Sequence, residues 1–498
     1  MNTSIFLCAL GIYIFLLILL SWFVSRRQTS GEDFLLAGRG LPLFLTVGTT
    51  IATMVGTGSS MGAVGFGYAN GWGGALYGVG GAIGILLLAW LFAPVREFRF
   101  MTMSEELSYY VGANRLVKNT VAILIFTASI GWLGVHILGG GLYLAWIADI
   151  DIQLAKIIVA AGFAVFVIIG GYSGVVWTDT IQAIILFAGF IFMAIMAVDQ
   201  IGGWEALVIA DGNAATPAGS MSGLHALSLA TAIGVGMLAT PSFRQRIYSA
   251  RSVSTARKSF IISGILYLGF SFVPAVIGIA AFSLNPSLEN RNFAFPFLAL
   301  EVLPLYAGVI VLIAGLSATM SSASSDAIAG VSILLRDVYS IVMNRVPPRG
   351  RMILYSRIGL VFVIGLALLF ALMSNDIISY ITNMISTVMS GMFICAILGR
   401  FWPRFNWQGA MATLIVASAT SFAVIAYAQA FWGNPVLPSM AAAVVAGVLA
   451  SLLTPAPSIT PEQALSILAA ERDQMEGIDP PGSVGVIAAP PTKGESFG

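Results

Sequence analysis

Apolar stretches alternate with short polar connections along this chain as far as about residue 455. A helix needs about 20 apolar residues to cross the hydrocarbon core of a bilayer. Thirteen stretches meet that length: 4–25, 42–66, 74–95, 117–147, 153–172, 178–199, 223–241, 256–283, 303–333, 354–374, 378–399, 408–430 and 436–455. The pattern predicts an all-α polytopic membrane protein of about 13 transmembrane helices. The first stretch runs into Arg26-Arg27 without a small-residue cleavage site, so it reads as a span and not as a signal peptide.

Two spans contain residues that weaken a helix in mid-membrane. The second holds Gly56, Gly58 and Gly62 among Thr53, Thr57, Ser59 and Ser60, and the seventh holds Gly234 and Gly236 and closes at Pro241. Unwound backbone at that depth is tolerated only where it lines a cavity or lies inside protein. A pair of interrupted spans in corresponding positions of two halves points to an inverted repeat with its site near the midplane. The expected organisation is a first span and loop over 1–41, repeat one over 42–199 and repeat two over 223–399. Two additional spans over 400–455 and a tail over 456–498 complete it. A capping box at Thr460-Pro-Glu-Gln463 predicts a short helix to about Met475, with disorder after it. The Gly-, Ala- and Ser-rich connection 200–222 predicts a loose loop, and Thr102 or Ser104 can cap a short helix after span three.

The ninth span carries the densest polar patch. Residues 317–326 read Ser-Ala-Thr-Met-Ser-Ser-Ala-Ser-Ser-Asp inside a hydrophobic run. Ala318, Ser321, Ser322 and Ser325 share one helical face. Two readings fit that face: small residues that let helices pack tightly, or hydroxyl oxygens offered to a hard cation. The interrupted second span could add backbone carbonyls at Ala52 and Val55. Asp179, placed at a turn between spans five and six, reads either as an exposed N-cap or as a further cation ligand. Asp326 has no assigned role.

Composition and charge narrow the class. Hydrophobic residues make up 58% of the chain and charged residues only 9%, against about 25% charged in a soluble domain. With the N-terminus outside, all 23 basic residues except Lys156 and Arg291 fall on the cytoplasmic face. This predicts a multi-pass protein of the cell (inner) membrane with a cytoplasmic C-terminus. The charge is partitioned by topology rather than clustered, so it gives no sign of a nucleic-acid partner, and none is expected. The partners are the lipid bilayer and a small-molecule substrate, and the oligomeric state is open. Cys8 and Cys395 lie in apolar runs, and His136 and His225 lack ligand spacing. No intramembrane His/Asp/Glu constellation is apparent, which argues against an enzyme.

Several motifs together resemble those of the sodium:solute symporters. They are Gly170-Gly171 with Trp177-Thr178-Asp179, Gln182 and Gly189; Gln245-Arg246; Thr102 to Leu107; Met320-Ser321-Ser322; and Arg336-Asp337 with Tyr339. The resemblance covers about residues 5–455. It implies the LeuT fold, a 5+5 inverted repeat with discontinuous helices two and seven, and sodium-coupled alternating access with Na+ as coupling ion. The family's main sodium site maps onto the carbonyls of Ala52, Val55 and Ala318 and the hydroxyls of Ser321 and Ser322. A second site, present in some members, maps onto Asp179, Ser324 and Ser325.

Positions that hold sugar in the sodium/sugar members are Met54, Ser59, Ile233 and Gly236 here, which speaks against a sugar. The proline members carry an aspartate where this chain has Met54. The expected solute cavity is lined by Thr53, Met54, Gly56, Thr57, Gly58, Gly234 and Gly236, with Asn383, Ser386 and Thr387 of span eleven, and holds no fixed charge. Amide groups at half-helix N-termini favour an anion. The expected solute is therefore small and carboxylate-bearing: a monocarboxylate, a pantothenate-like acid or an amino acid. Proton-coupled symport with Asp179 as carrier and passive facilitation are the competing readings. A membrane sensor is disfavoured by the short tail.

Overall fold

The computed structural model describes residues 3–26, 28, 30–210, 221–374 and 376–476. The expected disordered tail over 477–498 and residues 211–220 of the expected loose loop lie outside the described residues. Among the described residues the regular elements are helical, and one isolated strand-like bridge joins Leu41 to Ala250. Ten helices are long and apolar enough to cross a bilayer, or eleven if the bent pair Gly223–Ala239 and Pro241–Ser249 is taken as one span. The thirteen expected spans exceed this tally because several of them are shared or divided. The second is split between the short helix Leu43–Met54 and a run Gly58–Leu91 that also contains the third. The fifth and sixth lie in one helical run of 49 residues, Ile152–Gln200.

A straight helix of that length would reach about 74 Å, more than twice the roughly 30 Å hydrocarbon core. Gly171 interrupts it with φ 54° and ψ −163°. That backbone is strained for any residue with a side chain, and a Cβ there would come within 2.7 Å of the Phe34 ring. The break falls at Gly171, so Asp179 lies well inside the second helical half and is fully buried. It is not the exposed N-cap that its sequence position suggested.

The seventh span also breaks elsewhere than expected. Its helix continues through Gly234 and Gly236 and ends at Ala239; after Thr240 it bends by 41° into Pro241–Ser249. Proline has no amide hydrogen to continue the ladder. The glycines instead admit neighbours: a Cβ on Gly84 would stand 2.6 Å from the Gly234 carbonyl, and one on Gly236 2.6 Å from Ile385. Arg244 and Arg246 were expected among the cytoplasmic charges. They lie on Pro241–Ser249 and are 1% and 0% exposed.

Thr102 precedes the short helix Met103–Tyr109 without a side-chain cap. Thr102 Oγ1 and Ser104 Oγ instead donate to Asp337 Oδ1 at 3.1 and 2.7 Å. The expected capping box is present, with the Thr460 amide donating to Gln463 Oε1 at 2.9 Å and the Gln463 amide to Thr460 Oγ1 at 3.3 Å. It opens the helix Pro461–Glu476. Ion pairs hold this helix to both halves: Lys118–Glu471 at 2.9 Å, Arg472–Glu105 at 2.9 Å, Arg336–Glu476 at 2.5 Å and Arg349–Glu476 at 2.7 Å.

Burial raises the Glu476 carboxyl, but hydrogen bonds and charge from Arg349 and Arg336 outweigh it and hold the group below its ordinary 4.5. A depressed carboxylate contributes its stabilisation above that ordinary value and loses it as pH falls through the lowered one. Limited proteolysis is therefore expected to leave the helix protected at neutral pH. Cleavage should rise only below about pH 4.5, and Glu476→Gln should be cleaved faster already at pH 7.

Candidate ion and solute site

The helix Leu43–Met54 ends where its backbone turns out of helical geometry at Val55, with φ −89° and ψ 60°. The Val55 amide still reaches Ile51, and the next amide bonds across the break are Ser60 to Gly56 and Gly62 to Thr57. The intact helix Leu305–Ile333 passes beside this break. Ser321 Oγ lies 3.0 Å from the Ala52 carbonyl oxygen and 3.3 Å from that of Ala318. Ser322 Oγ is 3.2 Å from the carbonyl oxygens of both Ala52 and Thr53. Gly56 makes the approach possible, since a Cβ there would sit 2.4 Å from Ser322 Oγ. The hydroxyls of Ser321, Ser322, Ser324 and Ser325 are buried in protein and do not face lipid. Neutral hydroxyl and carbonyl oxygens gathered in this way suit a hard cation.

The residues mapped to a second cation site are also brought together. Asp179 Oδ2 accepts from Thr49 Oγ1 at 2.6 Å and from Ser325 Oγ at 2.9 Å, and Ser324 Oγ lies 3.4 Å from Oδ1. A residue not anticipated from the sequence joins them. Arg246 Nη2 donates to Ser325 Oγ and Thr49 Oγ1, both at 2.7 Å, and to Thr53 Oγ1, and stands 3.6 Å from Asp179 Oδ2. Asp179 and Arg246 are both fully buried. In this conformation a guanidinium supplies the positive charge beside the aspartate.

Next to these oxygens lies a small chamber, in this conformation little larger than one water molecule requires. It is lined by Thr53, Met54, Gly56, Gly58, Ser59 and Tyr77 of the first repeat's unwound region and its neighbour. Trp132, His136, Met237, Thr240, Phe243 and Asp326 complete most of the wall. Thr57 reaches it indirectly, its hydroxyl 3.0 Å from His136 Nδ1. Three expected lining residues belong elsewhere. Ser386 Oγ donates to the Thr382 carbonyl at 2.7 Å, Thr387 Oγ1 pairs with Ser421 Oγ at 2.8 Å, and Asn383 is absent from the wall. Gly234 and Gly236 serve helix packing, as described above.

The chamber is not free of fixed charge. Asp326 Oδ2 lies 3.1 Å from His136 Nε2, and both side chains are buried. The expectation of no intramembrane His/Asp pair is thereby corrected. A lone histidine and a lone aspartate in apolar runs were each visible in the sequence and are functional flags in a membrane. Their meeting across 190 residues was not.

The model of the sodium:solute symporter family matches residues 34–417. The chain belongs to this family. The symporter is 24% identical over 469 residues to the osmoregulated proline transporter OpuE of Bacillus subtilis, covering 90% of this chain and 95% of that one. It is 27% identical to the sodium/glucose cotransporter of Vibrio parahaemolyticus, covering 82% of each. Among solved structures, a Na+-coupled sialic acid symporter in a substrate-bound outward-open state aligns with TM-score 0.79 at 18% identity, covering 92% of this chain and 99% of that one. The nucleobase-cation-symport-1 transporter Mhp1 in a closed conformation aligns with TM-score 0.58 at 13% identity, covering 89% and 98%. The fold of the symporter is thus the LeuT fold, and the protein is a transporter and not an enzyme.

Proposed function

We propose that the chain couples inward sodium movement to uptake of a small carboxylate-bearing organic solute by alternating access. The observation that carries this reading is the contact of Ser321 and Ser322 with the carbonyls released where the Leu43–Met54 helix unwinds. Ala52, Val55 and Ala318 would supply carbonyl oxygens to one sodium ion, and Ser321 and Ser322 its hydroxyl ligands. A second ion at Asp179, Ser324 and Ser325 requires Arg246 to withdraw, because its guanidinium already contacts Ser325. The protein is taken to sit in the cell membrane with its N-terminus outside.

One charge entering down 100 mV supplies about 2.3 kcal/mol. Hundredfold accumulation of a zwitterionic, net-neutral carboxylate solute needs about 2.8 kcal/mol, whereas an anionic one entering with one ion moves no net charge and draws on the sodium concentration gradient alone. A single ion with its concentration gradient is sufficient. The carboxylate assignment rests on the indole N–H of Trp132, a buried donor in the wall without a partner, and on the matched positions that disfavour sugars.

The test is uptake of labelled solutes into proteoliposomes. Replacing external sodium by choline at fixed pH should abolish uptake of any transported solute. Undiminished uptake in choline would overturn sodium coupling, and a strict preference for sugars would overturn the carboxylate assignment.

A further inference from the structure

Asp326 and His136 are used by neither cation site, yet both face the solute chamber. His136 is held at both nitrogens, by Thr57 Oγ1 at 3.0 Å and by Asp326 Oδ2 at 3.1 Å. A neutral imidazole satisfies both contacts when Nε2–H donates to the carboxylate and Nδ1 accepts from the Thr57 hydroxyl, which then gives up its 3.3 Å contact to Thr319 Oγ1. The imidazole fixes one oxygen, and the carboxylate retains acceptor capacity toward the chamber. A buried carboxylate with one neutral partner is costly and calls for a cation.

Arg246, the buried cation beside Asp179, is engaged by Thr49, Thr53, Ser325 and Asp179. No ion pair joins Asp326 to a Lys or Arg among the described residues; His136 is its partner. The rest of the wall has the chemistry of an ammonium site. Tyr77, Trp132 and Phe243 present aromatic rings, whose faces attract cations. Trp132 also offers the unpartnered indole N–H as a donor. The chamber thus holds an acceptor pole and a donor pole within one small apolar enclosure.

We infer that the transported solute carries a protonated amine accepted by Asp326, together with a carboxylate, so that it belongs to the amino-acid class. This rests on the reading of the chain as a sodium-coupled carrier of a carboxylate-bearing solute, and it selects one of the three solute classes expected from the sequence. His136 acts as a positioning residue for the Asp326 carboxylate. Deleting the solute's ammonium removes a charge-assisted hydrogen bond. Such bonds are worth about 1.5–3 kcal/mol, which is about ten- to hundredfold in affinity.

The purified full-length protein provides the test through ligand-induced shifts in its thermal unfolding temperature. Each of the twenty amino acids is titrated in sodium chloride beside the acid of the same skeleton lacking the α-amino group, for example L-alanine beside propionate. At least one amino acid should bind, and its deaminated acid should bind at least tenfold more weakly. Asp326→Asn should shrink that preference to threefold or less. If this variant fails to fold, the wild-type series still decides. A deaminated acid binding within threefold of its amino acid, or no binding by any amino acid, would overturn the inference. Sodium chloride against choline chloride without solute is the separate readout for the sodium reading: stabilisation by sodium with no amino preference sinks the inference alone.

Discussion

Replacing Arg246 by leucine alone is expected to destabilise the protein by about 3–5 kcal/mol, the range found when one member of a buried ion pair is removed. Asp179 and Arg246 are both fully buried, so water cannot take over for the missing partner. The four hydrogen bonds of Nη2, to the Thr49 carbonyl and to the hydroxyls of Thr49, Thr53 and Ser325, are lost together with the charge. Asp179→Leu alone should cost a similar amount. The double variant should recover a large part of either loss, because it leaves no uncompensated charge. The remaining deficit comes from orphaned hydroxyls at Thr49 and Ser325, at about 1–3 kcal/mol for each unsatisfied group. Thermal unfolding in detergent of the three variants checks this. Additive single losses in the double variant would show that the two residues do not act as a pair.

Ser322→Ala should raise the sodium concentration for half-maximal uptake by about ten- to hundredfold. A hydroxyl bound to a charged group contributes about 1.5–3 kcal/mol, and 1.4 kcal/mol is tenfold. Folding should lose no more than about 1–3 kcal/mol, since Ser321 still contacts the Ala52 carbonyl and only the Thr53 carbonyl loses its side-chain partner. Ser356→Ala serves as the comparison. Its hydroxyl donates to the Met352 carbonyl one turn back in its own helix, away from the break, so its sodium curve should stay within twofold of the wild type. Sodium-activation curves of uptake in proteoliposomes measure both. An unchanged curve for Ser322→Ala would remove Ser322 from the ion site.

The helices and the serine-bearing face were legible in the sequence because each is a local pattern. A run of apolar residues fixes a span, and Ser321 and Ser322 within such a run announce buried oxygens. The glycines near residue 56 likewise announced the break now seen after Met54. Glycine in the seventh span gave the same signal with a different meaning. Gly234 and Gly236 make room for neighbouring helices, and the bend falls at Thr240–Pro241. Glycine permits both unwinding and close packing, and sequence alone does not separate them.

Asp179 was misplaced for a similar reason. The span limits put a turn over 173–177, whereas Gly171 alone performs the break and returns the chain to helix. The solute chamber was the least legible part. His136, Trp132, Tyr77 and Asp326 come from separate helices, and no periodicity reports which of them converge. Arg246 illustrates the limit from the other side. Its charge suggested a water-facing loop, yet Asp179 and four hydrogen-bond acceptors allow it to lie in the interior.

The helix Pro461–Glu476 grips Glu105 and Lys118 from the first half of the chain and Arg336 and Arg349 from the second. Any rocking of one half against the other must either carry this brace along or tear it from one side. Three of the four contacts have a partner at least a fifth exposed, so dissolved ions weaken them. If transport requires that brace to release, the speed of the carrier should change with bulk ionic strength, through a segment that touches neither fuel nor cargo.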